Sequence, residues 1–543
     1  MHDKMLRTLA ADVRTLTSIA RNPRFATVQS SDIRVFESIC GQNYVKIAEI
    51  DNYATDWTKA FKGNPACVLL PSTTDEVSAI LAHCAQRNIA VVPQIKSLTH
   101  CIVLKIKNYI FKFRRLRKFL GNPACVLLPS TTDEVSAILA HCAQRNIAVV
   151  PQAGNTGLVG GAVPVYDEVV VSMKRINKHI EFDEKTGTLI CDAGFILEEL
   201  DNHLAPHGYM MPYSLGAKGS CMIGGNVATN AGGIQLLRYG SLHAHLLGLT
   251  VVLPTDDGKV MELGSTLRKD NTSLHVPHLF LGSEGQIGLI TRVVMNTVPK
   301  PSSVLSAMIG VDKFESCCCI LRIARRHLSE ILSSFEFLDR EAMVLLEETL
   351  NLKQVLHSNP RFTILVETSG SNKEHDADKM ERFLDECFNS GLTVDGVQAQ
   401  SVAESSAMWR LRESAPLAVA AGGFFYKYDV SLPLNHFYEL TEVIRVRCLK
   451  HTKHIVTYGH LGDGNSHLNV IAKEYTQDLH DTLHPFLYEW VAAHGGSISA
   501  EHGIGQLKLP YSTFGKSPAE RDLVRRIKTV FDPKGILNPY KTF

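Results

Sequence analysis

The alternation of apolar and polar positions is most regular between residues 121 and 152. Apolar runs at Cys125–Pro129 and Ala148–Pro151 have the length of short buried strands, and between them apolar residues recur every three or four positions. Thr131 and Glu134 have the spacing of a capping box, which marks the start of a helix. The pattern therefore predicts a strand, a helix and a second strand. The residues on the apolar face of the helix are Val135, Ile138, Leu139 and Cys142.

This unit of 32 residues occurs twice without a single difference, at Gly63–Gln94 and at Gly121–Gln152. Repeat folds tolerate divergence between copies, so complete identity indicates a very recent duplication or a faulty gene model. We predict that the second copy is the functional one, because it runs directly into a glycine-rich loop. The first copy should be loosely packed or displace the second, and residues 63–120 should be dispensable.

The segment between the copies, residues 95–120, differs in composition from its surroundings. It carries eight lysines and arginines and no acidic residue. The run FKFRRLRK at Phe111–Lys118 is typical of a nuclear-localisation or membrane-surface segment. A translated non-coding segment or a mis-spliced exon explains the same composition, and we favour this second interpretation.

The overall composition is that of a globular protein. The chain has 543 residues, of which 45% are hydrophobic and 20% charged, and its net charge of +1 argues against a nucleic-acid binder. No apolar run reaches the roughly 18 residues of a spanning helix, so no membrane span is predicted. The 13 cysteines follow no disulfide or zinc-finger spacing and indicate buried thiols in a reducing compartment.

Residues 1–28 are rich in basic residues, and Asp3 and Asp12 are the acidic ones among them. This composition favours a mitochondrial transit peptide. A disordered or helical N-terminus of no targeting function is the alternative.

Three glycine-rich segments follow the second copy: residues 151–161 (PQAGNTGLVGG), 215–233 (LGAKGSCMIGGNVATNAGG) and 282–291 (GSEGQIGLIT). Successive backbone N–H groups in such loops bind a pyrophosphate, and small residues allow the backbone to approach a flat aromatic ring. None of them is a GxGxxG that follows a strand, so the nicotinamide fingerprint is missing. The three loops together predict a cofactor with a pyrophosphate and a flat aromatic ring.

A histidine-rich region lies near the C-terminus, with GHLGDGNSHLN at residues 459–469 followed by AEHG at residues 500–503. His460 and His467 flank a Gly-Asp-Gly turn, and Glu501 offers an oxygen ligand. Two imidazoles and one carboxylate bind a zinc-like divalent ion and leave a position open for substrate. His502 is then a candidate base. Ordinary loop histidines are the alternative, because no HExxH motif supports a metal.

Nine motifs, in the same order, resemble the D-2-hydroxyglutarate dehydrogenase family of flavoenzymes, within the vanillyl-alcohol-oxidase-like superfamily. These motifs are GNTGLVGG, LGAKGSCMIGGNVATNAGG, LRYGSLH, LRKDNT, GSEGQIGLIT, YKYDVSLP, GHLGDGNSHLN, AEHGIG and DPKGILNPYK. The resemblance implies an α+β fold, with a two-subdomain PCMH-type FAD-binding domain at residues 29–298. It also implies a ferredoxin-like α+β cap domain at residues 299–543.

The resemblance places the FAD pyrophosphate on the first glycine loop and the isoalloxazine ring beside the second. The residues that it assigns to FAD are Gly154, Asn155, Thr156, Gly157, Leu158, Leu215, Gly216, Gly219, Ser220, Gly224, Gly225, Asn226, Thr229, Ala231, Gly232, Glu284, Gly288, Ile290 and Asn538.

The implied reaction is the oxidation of D-2-hydroxyglutarate to 2-oxoglutarate in the mitochondrial matrix. A hydride passes to flavin N5, and the electrons then pass to electron-transfer flavoprotein rather than to NAD. The resemblance gives the base to His502 and the metal, of zinc type, to the two histidines and the glutamate named above. It gives substrate binding to Arg412, Lys427 and Asn469.

Alternative functions remain open. A D-lactate dehydrogenase of the same superfamily would use the same metal and base, and the insert at residues 63–120 would allow an inactive flavin-binding isoform. A metallohydrolase would leave the glycine loops unexplained. One departure bears on the substrate, because the family often has a threonine that touches it four residues after Arg412. This chain has Pro416 there, which lacks both a hydroxyl and an N–H.

Overall fold

The structure is a computed structural model that describes residues 28–40, 42, 45–47, 67–69, 79–80, 83–84, 87, 125–449 and 451–542. The basic insert and all but the last residue of the expected transit peptide lie outside the described residues, and so does most of the first copy.

The described N-terminal part consists of helix α1 (Ser30–Cys40) and strand β1 (Val45–Lys46). Strand β1 pairs antiparallel with β2 (Val68–Leu69), which belongs to the first copy. The first copy also interacts with α1, because His83 Nε2 and Arg87 Nε lie 2.7 and 3.0 Å from Asp32 Oδ1.

The described residues of the first copy are packed rather than loose. Leu69, Ile80 and Cys84 are fully buried in the same apolar core as the second copy. The expectation of loose packing is therefore wrong for these residues. The described residues of both copies share one apolar core, and α1 and β1 provide further contacts for the first copy.

The second copy forms the unit that its pattern predicts, with β3 (Val126–Leu127), α2 (Thr132–Arg145) and β4 (Val149–Gln152). Half of the predicted capping box is present, since the Thr131 hydroxyl accepts a hydrogen bond from the Glu134 N–H at 3.2 Å. The Glu134 carboxylate accepts from the N–H of Ser130 rather than from that of Thr131. All four residues of the predicted apolar face are buried. Strand β5 (Val169–Ser172) lies between β3 and β4 and runs parallel to both.

A second layer follows, in which five antiparallel strands are arranged in the order β10-β9-β11-β7-β6. The strands of this region are β6 (Ile180–Asp183), β7 (Thr188–Asp192), β8 (Tyr209–Met210), β9 (Leu246–Val252), β10 (Val260–Gly264), β11 (Leu289–Asn296) and β12 (Val298–Pro299). Its helices are α3 (Leu197–Leu204), α4 (Ile223–Ala228), α5 (Leu236–Tyr239) and α6 (Pro277–Phe280). Strand β11 is the apolar strand in which the third glycine segment ends.

The C-terminal region is built on an antiparallel sheet in the order β16-β13-β15-β14-β18-β19-β17. Its strands are β13 (Ser303–Val311), β14 (Leu332–Asp339), β15 (Phe362–Gly370), β16 (Asp395–Gln398), β17 (Phe424–Ser431), β18 (His454–His460) and β19 (Asn465–Ala472). The helices are α7 (Phe314–His327), α8 (Arg340–Leu350), α9 (Lys373–Asn389), α10 (Val402–Gly422), α11 (Glu439–Cys448), α12 (Gln477–Leu483), α13 (Phe486–Ala493) and α14 (Pro518–Phe531).

Helices cover both faces of this sheet. Because successive side chains of a strand point to opposite faces, Ile309 belongs to the core that includes α7 and α9, whereas Met308 belongs to the core that includes α8 and α10. The α+β fold class is confirmed. Among the described residues, no helix has both the length and the hydrophobicity to cross a membrane.

We expect that deleting residues 63–120, which joins Lys62 to Gly121, leaves FAD content and turnover unchanged. His141 Nε2 and Arg145 Nε, the counterparts of the first-copy side chains that bind Asp32, are buried without a hydrogen-bond partner in the described part of the chain. After deletion, α1 can therefore dock on the second copy. Flavin absorbance and steady-state kinetics of the two forms check this, and a deletion variant that fails to bind FAD would contradict it.

Candidate active site

The three glycine-rich segments lie together as one cradle. A Cβ atom at Gly154 would lie 2.4 Å from the carbonyl oxygen of Ser220, so the first and second segments are in backbone contact. The third segment is bonded to α4 of the second, since the N–H of Glu284 donates to the Ala228 oxygen at 2.7 Å. Glycine is required where backbones approach this closely.

This cradle has the properties of a dinucleotide site. Gly157 and Gly216 face open space, because an added Cβ would meet nothing within 4 Å at either position. Asn155, Asn230 and Glu284 have left-handed backbones, with φ of 51°, 47° and 49°. Non-glycine residues in that conformation cluster at ligand sites. The chain's own residues therefore fit FAD, and Gly219, Ser220 and Thr229 are exposed along the same loops.

Some of the residues assigned to FAD lie in the apolar core beneath the cradle. Gly224 packs against Ala193, and Gly288 packs against Val251 and Phe280. Ile290 is buried within β11. Each assignment remains a prediction. The remaining residues of the assigned set belong to the first two glycine-rich segments, with Gly225 and Asn226 inside α4. They are Thr156, Leu158, Leu215, Gly225, Asn226, Ala231 and Gly232.

Asn538 links the C-terminal turn to the cradle. Its side-chain nitrogen donates to the carbonyl oxygens of Gly161 at 3.0 Å and Glu284 at 2.7 Å. Its backbone N–H donates to the Val149 oxygen at 2.6 Å, and the preceding Leu537 forms a parallel bridge with the same residue of β4. Asn538 thus holds two of the glycine segments together.

The polar residues of the cap domain lie on one face of its sheet. In the antiparallel register, Lys427 of β17 is opposite Asn469 of β19, and Asp429 is opposite His467. Residues two apart on a strand share a face, and residues directly opposite each other are neighbours on that face. His460 of β18 continues the same row of side chains.

His460, His467 and Glu501 converge as the sequence predicts. The Nε2 atoms of the two histidines lie 3.5 and 3.8 Å from the two carboxylate oxygens of Glu501. Each Nδ1 faces a buried carboxylate, with His460 Nδ1 2.9 Å from Glu336 and His467 Nδ1 3.6 Å from Asp429. Metal-binding histidines commonly direct their second nitrogen to a carboxylate. The set therefore fits a zinc-like ion bound through Nε2.

The charges of these groups also suit a cation. Burial acts to lower the pKa of His460, but the nearby carboxylates of Glu336 and Glu501 outweigh it and raise that pKa to about 9. Burial raises the pKa of Glu501 to about 7. Burial also holds the pKa of His467 well below its usual value. The pair of His460 and Glu501 therefore holds protons that a divalent ion can replace.

His502 lies beside this cluster, with its ring parallel to that of His467 at 6.1 Å between centroids. Burial lowers the pKa of His502 to about 3, which keeps its imidazole neutral. Its Nδ1 is 3.6 Å from Asp429 Oδ2, so Nε2 points away from that carboxylate. A neutral imidazole is the form that accepts a proton.

Asp429 is a central residue of the site that the sequence analysis missed. The N–H groups of Glu501 and His502 both donate to its Oδ2 at 2.9 Å, and Asn465 donates to its Oδ1 at 2.9 Å. These bonds orient both the predicted metal ligand Glu501 and the predicted base His502. The available signal was its position two residues after Lys427 in YKYD, which places both side chains on one face of a strand. Asp429, Glu501 and His502 also form an alternative ligand set, with ligand atoms within 4.8 Å of one another.

Arg412 reaches the site from α10. Its Nε lies 2.8 Å from Glu336 Oε2, and its guanidinium lies over the Tyr458 ring at 5.1 Å from the centroid. Pro416 follows within the same helix and has no N–H to donate to the Arg412 carbonyl. Burial lowers the pKa of Lys427, the second expected substrate cation.

Asn469 is fully buried on the same face of the sheet. Its side-chain nitrogen donates to the His467 carbonyl oxygen at 3.0 Å, and its amide also interacts with the Tyr458 hydroxyl. It is therefore held beside the metal cluster, where the sequence analysis expected a substrate contact.

Glu284 connects the cradle to the segment that carries the base. Its carboxylate accepts the N–H groups of Ile504 at 2.8 Å and Gly505 at 2.9 Å, and the Thr542 hydroxyl at 3.0 Å. On the other side of the cradle, a Cβ at Gly232 would lie 3.4 Å from Glu501 Oε1. The cofactor cradle and the metal cluster therefore share a boundary.

We expect Glu284→Gln to lower kcat by roughly 10- to 100-fold, because hydrogen bonds to a charged group contribute about 1.5–3 kcal/mol each. FAD content should stay unchanged if the role of the carboxylate is to hold the 503–505 segment. Rapid-mixing kinetics and flavin absorbance check this. The exposed Glu181→Gln is the matched control, and loss of FAD with unchanged turnover per bound flavin would show that Glu284 serves the cofactor instead.

Comparison with known proteins agrees with this geometry. Residues 300–542 match the FAD linked oxidases, C-terminal domain, and residues 123–264 match an FAD binding domain whose start lies inside the second copy. The mitochondrial D-2-hydroxyglutarate dehydrogenase of Arabidopsis thaliana is 49% identical over 427 residues, which cover 78% of this chain and 76% of that protein. The chain belongs to the D-2-hydroxyglutarate dehydrogenase family. It is an FAD-dependent D-2-hydroxyacid dehydrogenase.

A second relative and a solved structure extend the comparison. A putative mitochondrial D-lactate dehydrogenase of Schizosaccharomyces pombe is 39% identical over 535 residues, which cover 96% of this chain and 92% of that protein. The structure of p-cresol methylhydroxylase with substrate bound has a TM-score of 0.66 at 12% identity and covers 95% of this chain and 97% of that one. This likeness confirms the PCMH-type fold of the D-2-hydroxyglutarate dehydrogenase family, and the relatives' names support a mitochondrial location.

Proposed function

We propose that this chain oxidises D-2-hydroxyglutarate to 2-oxoglutarate in the mitochondrial matrix and passes the electrons to electron-transfer flavoprotein. The observation that carries the proposal is the presence of two cations, the buried Arg412 and the half-buried Lys427, beside the cluster of His460, His467 and Glu501. A substrate with two carboxylates needs two such groups, and arginine binds a carboxylate through paired N–H groups.

The charges around the sheet face suit an anionic substrate. Arg412 pairs with Glu336 and Lys508 with Asp429, and Lys427 interacts with Asp429 and Glu501. A divalent ion would add two positive charges to this set, and a carboxylate substrate would offset them, since an uncompensated buried charge is costly.

Different residues of the chain carry out different parts of the proposed reaction. His502 Nε2 takes the hydroxyl proton, Asp429 holds the neutral imidazole in place, and Asn469 lies beside the ligands to contact the substrate. The two histidines and Glu501 would hold a zinc-like ion, which when bound lowers the pKa of a coordinated hydroxyl. FAD, when bound, accepts the hydride.

The family resemblance supports electron-transfer flavoprotein as the electron acceptor, and the lack of a nicotinamide fingerprint agrees with it. Mixing the substrate-reduced enzyme with electron-transfer flavoprotein or with NAD⁺ tests this part of the proposal. Reoxidation by NAD⁺ alone would overturn it.

A substrate panel tests the main proposal. We expect a higher kcat/KM for D-2-hydroxyglutarate than for D-lactate. Of the two variants Arg412→Lys and Lys427→Met, the one that replaces the cation at the distal carboxylate should lower kcat/KM for the diacid by roughly 10- to 100-fold and leave D-lactate nearly unaffected, whereas the other should lower kcat/KM for both acids. The exposed Lys453→Met is the control. Equal efficiency on both acids, with neither variant changing the ratio, would overturn the proposal.

D-lactate oxidation is the second candidate, because the fission-yeast relative matches nearly the whole chain. Pro416 favours this alternative as well, since it lacks the hydroxyl and the N–H that could contact a distal carboxylate. The same panel decides between the two substrates.

A further inference from the structure

We propose that His436, Glu439 and His494 form a second site for a zinc-like divalent cation, separate from the active site. One nitrogen from each imidazole and one Glu439 oxygen lie within 4.8 Å of one another. The two histidines are half-buried and Glu439 is exposed, so the site opens to solvent. Two imidazoles and a carboxylate are a donor set that zinc accepts, with a water in the fourth position. This proposal does not depend on the substrate.

The ring of His494 is held in an orientation that favours metal binding. Its Nδ1 donates to the Trp490 carbonyl oxygen at 2.7 Å, which leaves Nε2 with a free lone pair. The ring also stacks on the Trp490 indole at 3.7 Å between centroids and an interplanar angle of 21°. A ligand whose second nitrogen is bonded to a carbonyl is the arrangement seen around bound metals.

His436 and Glu439 complete the set from the neighbouring segment. His436 ends a 3-10 turn, and Glu439 begins α11. His436 Nδ1 lies 2.6 Å from Glu439 Oε2, and Asn435 donates to the other ring nitrogen at 2.9 Å. A proton therefore lies between Nδ1 and the carboxylate. A divalent ion that takes its place would be bound by both groups, while the ring proton moves to Nε2 and the Asn435 side chain turns its amide oxygen to accept it.

The two segments that meet at this cluster also form the active site. Ser431, at the end of β17, and Ser497 exchange both backbone hydrogen bonds, at 3.1 and 2.9 Å. Asp429 lies on β17, two residues before Ser431. Glu501 and His502 follow Ser497 on the other segment, and their N–H groups donate to Asp429. A metal on His436, Glu439 and His494 would tie the outer ends of these segments together.

Zinc binding to the FAD-loaded enzyme tests the proposal. Equilibrium dialysis against Zn²⁺ with elemental analysis should find two ions per chain in the parent protein and one in His494→Ala. His467→Ala should retain one ion at the second site, and the double variant that combines His467→Ala with His494→Ala should bind none. The exposed His451→Ala is the matched control and should bind as the parent does. Equal zinc content in the parent and His494→Ala would overturn the proposal.

Trp490 provides an independent signal. Ni²⁺ bound to His494 should quench the fluorescence of the indole stacked on it, and the quenching should vanish in Trp490→Phe without a change in zinc content. Glu439→Gln, a change at an exposed position, should also weaken the quenching. It provides the test if His494→Ala fails to fold. Unchanged Ni²⁺ quenching in Glu439→Gln and His494→Ala would refute the site. Turnover at saturating substrate should stay within about twofold in all of these variants except His467→Ala, since none of the others replaces a residue of the active site.

Discussion

His502→Ala should lower the rate of flavin reduction by roughly 10²–10⁴-fold, the usual contribution of a general base. The imidazole of His502 is half-buried and neutral, lies parallel to His467 and has its Nδ1 directed to Asp429. Its removal takes away the proton acceptor but leaves the cradle and the predicted ligands in place. Anaerobic stopped-flow absorbance, which follows the loss of flavin colour after substrate addition, measures the effect.

Metal content separates the two possible roles of His502. Retention of the active-site ion in His502→Ala is expected if His460, His467 and Glu501 are the ligands. Loss of the ion would favour the alternative set of Asp429, Glu501 and His502. His480→Ala, which changes a histidine outside the site, controls for the general effect of removing an imidazole, and an unchanged reduction rate in His502→Ala would exclude the base role.

His467→Ala should abolish turnover and lose the active-site ion while the flavin spectrum stays unchanged. His467 is fully enclosed between His460 and Asp429, so its loss removes one ligand from the centre of the cluster. The predicted FAD cradle consists of loops of the other domain, and FAD should therefore remain bound. Elemental analysis and the visible spectrum of the purified variant give the two readouts.

Chelation provides the complementary experiment. Removal of the metal from the parent enzyme should abolish turnover, and added Zn²⁺ should restore it in the parent but not in His467→Ala. A metal-free parent enzyme with full activity would contradict the proposed ligand role. Release of FAD from His467→Ala would instead show that the cluster is required for the structure of the cradle.

Much of the site could be predicted from local patterns. The glycine-rich segments are recognisable from their composition. The alternation of side chains in β17 and β19 places Lys427 on the same face as Asp429, and His467 on the same face as Asn469. The strand–helix–strand unit of residues 125–152 followed from its apolar spacing and its capping box. Each of these inferences depends on residues that are near one another in the sequence.

The parts that could not be predicted depend on distant contacts. Glu336 orients His460 and Arg412 because β14 pairs with β18, and a register between strands more than a hundred residues apart leaves no local pattern. The anchoring of the 503–505 segment by Glu284 has the same origin. The burial of the first copy was missed for another reason. Its apolar positions are identical to those of the second copy, so the sequence does not show which elements each copy packs against.

The return of residues 536–542 to β4 has a consequence for biosynthesis. Ile536, Leu537 and Asn538 complete the core and the hydrogen bonding of the subdomain that begins the cradle. Contacts this distant in the sequence close late in folding. The subdomain therefore stays incomplete on the ribosome until these residues emerge, well after the cap domain has been synthesised. Flavin capture should accordingly be a post-translational step, and a nascent chain released before Ile536 should be recognised by chaperones and degraded without having bound FAD.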